Sequence, residues 1–376
     1  RPVHHVEMAR RISILLPPLG LYPDLGTMLA DAFRELGLEP TVRHHVHPDV
    51  LAADVLLMGG LCRHIDDLPA LLRQRRAKSP VTILWQLEPL PPPGMSAQGE
   101  AVGARMAQWD WAGLPRTRRR LLQPFIPFRT KLLRGVHRWL ARAYAAEVLR
   151  SPDHQGWREY YPENHFAAMA EWEWIKSARA AGWLDHCFAT VQTRVQFLRS
   201  RGVPAELIPF GYHPKWGRDR QMARDIDVLF LGRLGHGPRE TNVNWLQAEL
   251  QRRGRPLTWV QRAFGEAREE LLSRTKIMLS LLRVPHDEAG MRVMIGLAGG
   301  ALVVSEACAD AGEFVPGKHY VTAPLRDIPS VVEHYLDHEL ERRTIAAEGH
   351  RFATEELTLP RVLHRMLRLA GIEGPR

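Results

Sequence analysis

Two arginines and three glycines form the first cluster in this chain whose residue types and spacing suit binding chemistry. The glycines are Gly232, Gly235 and Gly237, the arginines are Arg233 and Arg239, and all follow the apolar run DVLFL. Glycine lets the backbone approach a ligand closely, and a helix N-terminus with guanidinium groups favours a diphosphate. The spacing differs from the GxGxxG of dinucleotide-binding proteins. Two interpretations stay open: an anion site, or a tight strand-to-helix turn with solvated arginines.

A second cluster follows where the pattern predicts a strand, a loop, a helix and another strand over residues 276–306. The loop places Gly290 at the start of the helix, whose N–H groups attract anions, and Arg292 lies in its first turn. Glu306 ends the next strand, and the carboxyl ends of parallel strands form the binding crevice of such sheets. We therefore expect Glu306 either to contact a ribose or phosphate, or to pair with Arg292 and order the loop.

Alternating apolar runs and helical patterns must position these residues, and they predict an α/β fold with parallel, doubly wound sheets. The chain of 376 residues is too long for one ordinary core. A polar linker at 215–224 separates a predicted first domain, residues 8–214, from a second, residues 225–356. The helical segment 357–376 is free to pack back on the first domain. Residues 90–163, rich in proline, arginine and aromatics, are predicted to be an insertion.

Composition excludes several classes of protein. Three cysteines without CxxC spacing argue against a disulfide framework and a structural zinc site. No apolar run approaches the ~20 residues of a membrane span, so we expect a soluble, cytoplasmic protein. The formal net charge of +9 indicates acidic partners such as a nucleotide diphosphate, nucleic acid or an anionic membrane face.

Much of the positive charge lies in residues 116–150, which hold ten Lys or Arg and one acidic residue, Glu147. Written as a helix from Thr130, this segment separates an apolar face from a basic one. Such a helix can contact an anionic membrane peripherally, dock a lipid-linked acceptor, or bind nucleic acid. It can also pack on the first domain with a solvated basic face. Nucleic acid is the least favoured partner, since the chain contains no recognised nucleic-acid module.

The second half resembles the C-terminal domain of GT-B glycosyltransferases, in particular the group 1 and CgeB-like branch. The resemblance rests on DVLFLGRL, MRVMIGLAGGALVVSEACADAGEFVPGKHYV and the helical tail ERRTIAAEGHRFATEELTLPRVLHRML, over residues 227–367. It implies a GT-B fold, two Rossmann-like domains facing a cleft. It also implies transfer of a sugar, of hexosyltransferase type, from a nucleotide-diphosphate donor to a glycan, lipid-linked or small-molecule acceptor.

In the family that the chain resembles, the donor diphosphate contacts an arginine after the first strand and the helix after an acidic loop. The resemblance implies that Arg233 and the segment with Asp287, Glu288 and Arg292 take these roles here. Retaining members carry two glutamates with seven residues between them, whereas this chain has Asp287 and Ile295 at those places. The nucleotide contact then differs, for instance through Glu306. The alternative is a catalytically degenerate GT-B protein that binds a nucleotide or glycan as a scaffold.

The resemblance also implies a metal-independent reaction without a cofactor beyond the donor. The DxD triplet at 225–227 begins a strand, away from the carboxyl-end crevice, which favours a strand-edge role over metal binding. An inverting reaction would need a general base from the first domain. Asp24 and Glu88 are the candidates, although Asp24 could instead cap the first helix and Glu88 could satisfy loop amides.

Overall fold

The computed structural model describes residues 11–17, 24–75, 79–91, 94–107, 162–234, 238–282, 290–308 and 312–372. The side chains of 162–166 and 238 lie outside this description. The chain divides into two compact units. One comprises Arg1–Ile208 with Leu363–Arg376, and the other comprises Pro209–Val362.

The first unit is built on a six-stranded parallel sheet with the order β2-β1-β3-β4-β5-β6. Its strands are β1 (Arg11–Leu15), β2 (Glu39–Arg43), β3 (Val55–Gly59), β4 (Val81–Gln86), β5 (His186–Ala189) and β6 (Glu206–Leu207). Its helices are α1 (Leu25–Glu35), α2 (Leu68–Leu72), α3 (Ala97–Ala107), α4 (Pro162–Ala180) and α5 (Gln192–Ser200). The strands β3 and β4 are almost wholly buried, as expected for a sheet covered on both faces.

The second unit is built on a five-stranded parallel sheet with the order β11-β10-β9-β7-β8. Its strands are β7 (Ile226–Leu231), β8 (Leu257–Val260), β9 (Thr275–Ser280), β10 (Leu302–Glu306) and β11 (Val321–Ala323). Its helices are α6 (Pro238–Arg252), α7 (Gly265–Ser273), α8 (Gly290–Ala298), α9 (Ile328–Asp337), α10 (Glu339–Arg351) and the start of α11 (Leu359–Leu369). These two separate parallel sheets confirm the predicted α/β class with two doubly wound sheets.

The apolar residues of β7 are divided between the two faces of its sheet. Val228 and Phe230 belong to a core cluster that includes residues of α6, α9 and α10, whereas Leu229 belongs to a second cluster with Leu272 and Met278. Successive side chains of a strand point to opposite faces, so both faces of this strand are buried. This double burial explains why the sequence reads as a continuous apolar run rather than an alternating one.

The sequence pattern does not predict two of the strands, because neither contains a continuous apolar run. The strand β2 carries Pro40 and is only half-buried along most of its length, and it lies at one edge of its sheet. Proline within a strand is tolerated at such an edge. The strand β6 has only two residues and lies at the opposite edge. Edge strands bury too little surface to leave a clear apolar pattern.

Helix α3 lies within the predicted insertion and packs against α4. The indole Nε1 of Trp172 donates a hydrogen bond to Glu100 Oε1 at 2.8 Å. A Cβ added at Gly103 would lie 2.4 Å from Met169 Cε, so the two helices approach closely at this point. The helix α4 begins at Pro162, just before the predicted end of the insertion at residue 163. The remainder of the predicted insertion, residues 108–161, lies outside the described residues.

Gly349 lets α10 approach the segment before β11. A Cβ added at Gly349 would lie 2.1 Å from the carbonyl oxygen of His319 and 2.7 Å from Leu297 Cδ2. We expect Gly349→Ala to destabilise the protein by roughly 2–3 kcal/mol, because the backbone must shift to accept the methyl group. Helix propensity alone would predict a gain of about 1 kcal/mol. The measurement is the free energy of unfolding from urea denaturation.

The matched control is Ala347→Gly, at an exposed position of the same helix. That change should cost about 1 kcal/mol through propensity alone. A Gly349→Ala variant as stable as the parent, with the expected cost at Ala347, would disprove the close approach.

Candidate functional site

The order of strands in the second sheet locates a crevice. From β7 the chain moves to β8 on one side, whereas β9, on the other side of β7, continues outward to β10 and β11. The connections that leave the carboxyl ends of β7 and β9 therefore run in opposite directions. Ligands of open α/β sheets bind at such a switch point, outside the carboxyl ends of the strands.

Gly232 follows the last residue of β7 at this switch point. Its φ of 147° is a conformation that other residues rarely adopt. A Cβ at this position would lie 3.5 Å from Nη2 of Arg292, so the guanidinium group stands directly over the glycine. Arg233 comes next and is exposed to solvent.

Arg292 is held in place by the two central strands. It lies in the first turn of α8, and its Nη1 donates a hydrogen bond to the carbonyl oxygen of Leu281, just after β9, at 3.3 Å. Its Cζ lies 5.4 Å from the centroid of the Phe230 ring, within the range of a cation–π contact. The guanidinium group is therefore fixed at the carboxyl ends of β7 and β9, beside the N-terminus of α8 at Gly290.

Glu306 brings a carboxylate to the same edge of the sheet. It is the last residue of β10, and its Oε2 accepts a hydrogen bond from the backbone N–H of Leu282 at 3.3 Å. Burial raises the pKa of this carboxyl above its ordinary value, while the Leu282 hydrogen bond and the charge of Arg239 lower the pKa in part. Arg239, in the first turn of α6, therefore acts electrostatically on Glu306. The structure thus places Gly232, Arg239, Arg292 and Glu306 at one edge of the sheet, beside the start of α8.

Four further residues predicted in this region lie outside the described residues: Gly235, Gly237, Asp287 and Glu288. Ile295 is described. It packs against the apolar cluster of Leu229 and Met278. A side chain in that environment is suited to holding α8 on the sheet, and its hydrocarbon offers no hydrogen bond to a ribose.

The two candidate bases have different surroundings in the first unit. Asp24 is exposed and occupies the N-cap position of α1, but its side chain makes no capping hydrogen bond to that helix. Glu88 is half-buried after β4, where its carbonyl oxygen accepts a hydrogen bond from Gln86 Nε2 at 3.1 Å. Neither arrangement assigns a catalytic role.

Arg194 is a buried cation that no sequence motif marked, and it contacts the residue before Glu88 although the two lie far apart in the sequence. Its Nη1 donates hydrogen bonds to the carbonyl oxygen of Leu87 at 2.8 Å and to Thr190 Oγ1 at 2.7 Å. These atoms lie after β4 and β5, so the arginine joins the carboxyl ends of two strands. The signal available in the sequence was an arginine four residues after the threonine that follows a strand, which is too common to be diagnostic.

The DxD triplet has a structural role. Asp225 forms an ion pair with Arg274 at 2.7 Å, and Asp227 forms one with Lys276 at 2.6 Å. Both lie at the amino end of β7, opposite to the crevice, as expected for strand-edge residues. Within the described residues, no group of three or more His, Cys, Asp or Glu is placed to hold a metal ion.

The basic segment 116–150 lies outside the described residues, and its contact with a membrane or an acceptor stays a prediction. Among the helices that the structure describes, none is long and apolar enough to cross a bilayer.

A family model described as "Glycosyl transferase-like" matches residues 220–368. This range contains β7 to β11 and every described residue of the crevice. This part of the chain is similar to that family, and the match confirms the resemblance of the second half to glycosyltransferases.

The backbone of the chain is also similar to solved structures. TarM covers 84% of this chain at 7% identity and a TM-score of 0.49, and the chain spans about half, 54%, of TarM. Sucrose-phosphate synthase from Thermosynechococcus elongatus covers 96% of this chain at 11% identity and a TM-score of 0.49, and 98% of its own length is matched. Anabaena Alr3699/HepE in complex with UDP and glucose covers 97% of this chain at 12% identity and a TM-score of 0.46, and 100% of its own length is matched. Among curated proteins, none matches the chain significantly in sequence.

The raised pKa of Glu306 in the glycosyl transferase-like domain predicts a pH-dependent stability. In the unfolded chain this carboxyl ionises near its ordinary value, whereas in the folded protein burial lets it keep its proton to higher pH. The folded state therefore binds more protons in that interval, and stability falls as pH rises through it. We expect Glu306→Gln to remove this loss, so its stability relative to the parent should increase as the pH rises above the ordinary range of a carboxyl pKa, about 4, and should level off once Glu306 ionises in the folded parent as well.

Urea denaturation across that range measures the effect, with Glu266→Gln, at an exposed position of α7, as the matched loss of a carboxylate. A difference between Glu306→Gln and the parent that stays constant with pH would contradict the burial of the charged group.

Proposed function

We propose that this chain is a glycosyltransferase that moves a sugar from a nucleotide-diphosphate donor to an acceptor. The observation that carries the proposal is the convergence of Arg292, the N-terminus of α8 and Gly232 at the switch point of the second sheet. A diphosphate fits this arrangement because guanidinium groups donate charge-assisted hydrogen bonds and the helix N-terminus favours an anion. The family match over the same residues supports the assignment.

The chemical task of these groups is to stabilise the departing diphosphate. Breaking the glycosidic bond of the donor leaves negative charge on phosphate oxygens, and positioned cations and helix dipoles stabilise that charge in the transition state. Arg292 is fixed by the backbone of Leu281 and needs little rearrangement. Arg233 is exposed and can reach the ligand from the solvent side, and Arg239 lies close enough to act on Glu306.

We assign Glu306 to the sugar or ribose of the donor. Its carboxylate lies at the carboxyl end of β10, where Oε2 accepts a hydrogen bond from the backbone N–H of Leu282. Glu306 is only partly buried, so its other oxygen can accept a hydrogen bond from a hydroxyl group of the donor. The packing of Ile295 in an apolar cluster favours Glu306 for this contact, because position 295 offers no hydrogen-bonding group. We infer that Arg233, Arg239 and Arg292 take the place of a bound metal ion, with Asp287 and Glu288 as further donor-binding residues.

The acceptor would be bound mainly by the first unit. Glu88 and Asp24 remain the candidates for a general base if the reaction inverts the anomeric carbon. A glycan, a lipid-linked molecule or a small molecule could fill this role, and residues 116–150 would supply peripheral contact with an anionic membrane in the lipid-linked case.

A catalytically degenerate scaffold that binds a nucleotide or glycan is the second candidate. The observation in its favour is Ile295, because retaining members of the family that the chain resembles carry a glutamate at this position. Detectable hydrolysis or transfer of a donor sugar would exclude it, whereas tight nucleotide binding without turnover of any donor would support it.

The donor assignment predicts the effect of Arg233→Ala. We expect the affinity for a nucleoside diphosphate to fall by about 10- to 100-fold, since a hydrogen bond to a charged group contributes roughly 1.5–3 kcal/mol. Turnover of the donor should fall with it. Calorimetry against UDP, GDP, ADP and dTDP, with and without magnesium, measures binding, and equal affinity without magnesium is expected.

The matched control is Arg274→Ala, which removes an arginine from the amino end of the same sheet, where it pairs with Asp225. This variant should bind as the parent does. Unchanged binding and turnover in Arg233→Ala would overturn the donor site, and a parent protein that binds none of the four nucleotides would overturn the proposed function as a whole.

A further inference from the structure

An exposed indole lies beside the proposed diphosphate site, on a strand that no motif had marked. Trp259 is the third residue of β8, the edge strand next to β7, and 41% of its surface is exposed. A single exposed aromatic is ordinary by itself. This one is held in place, because its Nε1 donates a hydrogen bond to the carbonyl oxygen of Gly232 at 3.0 Å.

Gly232 is thereby contacted from two directions. The guanidinium group of Arg292 stands over its Cα, and the indole of Trp259 is bonded to its carbonyl oxygen. Trp259 pairs with Phe230 in the register of the sheet, and the same Phe230 ring lies 5.4 Å from Arg292 Cζ. Residue pairs in register on parallel strands present their side chains to one face. A cation and an exposed aromatic ring therefore flank one glycine at the carboxyl end of β7.

Each of these groups suits a different part of a nucleotide. A guanidinium group and a helix N-terminus bind phosphate but offer nothing to the apolar face of a base. An exposed indole binds such a face by stacking, and it tolerates any base because every base has a π-face. Gly232 has no side chain that would stand between the two groups, so one ligand could contact both.

We propose that Trp259 is the platform on which the nucleobase of the donor stacks. This inference rests on the proposed function, since it assumes that a nucleotide places its diphosphate at Arg233 and Arg292. The hydrogen bond to Gly232 fixes the plane of the indole, which reduces the entropy lost when a base stacks on it. Stacking supplies affinity for nucleotides over phosphate-containing ligands without a base, and it leaves the choice among bases to other contacts.

The alternative is that Trp259 only protects the edge of the sheet. The strand β8 pairs with β7 alone among the described strands, and a large side chain can shield such an edge. A purely structural tryptophan would affect the stability of the fold and the position of Gly232, and so the binding of every ligand. A stacking platform affects only ligands that carry a base.

The experiment compares UDP, ADP and inorganic pyrophosphate as ligands of the full-length chain by calorimetry. Trp259→Ala should weaken UDP and ADP by about 10- to 100-fold and leave the affinity for pyrophosphate unchanged. Trp259→Phe keeps an aromatic face and loses the indole N–H, so it should retain most of the affinity for both nucleotides. Trp245→Ala, which removes a tryptophan of similar exposure from α6, should bind all three ligands as the parent does.

Tryptophan emission gives a second measurement that needs no pyrophosphate binding. Saturating UDP should quench part of the emission of the parent, and Trp259→Phe should lose that part while still binding UDP. Equal weakening of nucleotides and pyrophosphate in Trp259→Ala would show a structural role and overturn the proposal, as would unchanged nucleotide affinity in that variant. In both cases the parent still binds nucleotide, so the proposed function survives. A parent that binds no nucleotide overturns both.

Discussion

The pairing of β7 with β9 is the constraint on which the candidate site depends. The two strands are adjacent and parallel, with Phe230 opposite Leu279, so the residues that follow each strand emerge at one edge of the sheet. Gly232 and the carbonyl oxygen of Leu281 are brought together in this way, although about fifty residues separate them in the chain. Arg292 bonds one and stands over the other. Without this pairing the arginine would have no fixed position.

The apolar core on both faces of β7 holds this pairing in register. Val228 and Phe230 are fully buried on one side, and Leu229 is fully buried on the other. Because a slip by one residue would exchange the faces, the register is strongly specified where both faces are packed against distinct clusters. The core therefore does more than stabilise the second unit, because it also fixes where Gly232, Leu282 and Glu306 lie at the carboxyl edge of the sheet.

Charge at the two ends of the sheet serves different purposes. At the amino end, Asp225 and Asp227 form ion pairs with Arg274 and Lys276 at the surface, and such exposed pairs contribute little stability. At the carboxyl end, burial raises the pKa of Glu306, and its carboxylate is placed among N–H donors and cations. A polar group kept in a partly buried place at a cost is more informative about function than an ion pair in solvent.

The sequence by itself determined the fold class, the second-unit strands and the identity of the residues at their carboxyl ends. Runs such as DVLFL and ALVVS are apolar because both faces of their strands are buried, and this pattern is local enough to be read along the chain. Glu306 could be predicted as a candidate site residue because it directly follows such a run, and Arg292 because it lies in the first turn of the helix predicted after the loop. The half-exposed β2 and the two-residue β6 could not, since edge strands need no continuous apolar pattern.

Tertiary structure decided which of these residues meet. Only the order of the strands shows that β7 lies between β8 and β9, and this order is what brings Trp259 to Gly232 from one side and Arg292 from the other. In the sequence, Trp259 is one of eleven tryptophans and has no motif around it. Its position beside the arginine follows from hydrogen bonds between strands, which the chain forms at long range and which no local spacing encodes.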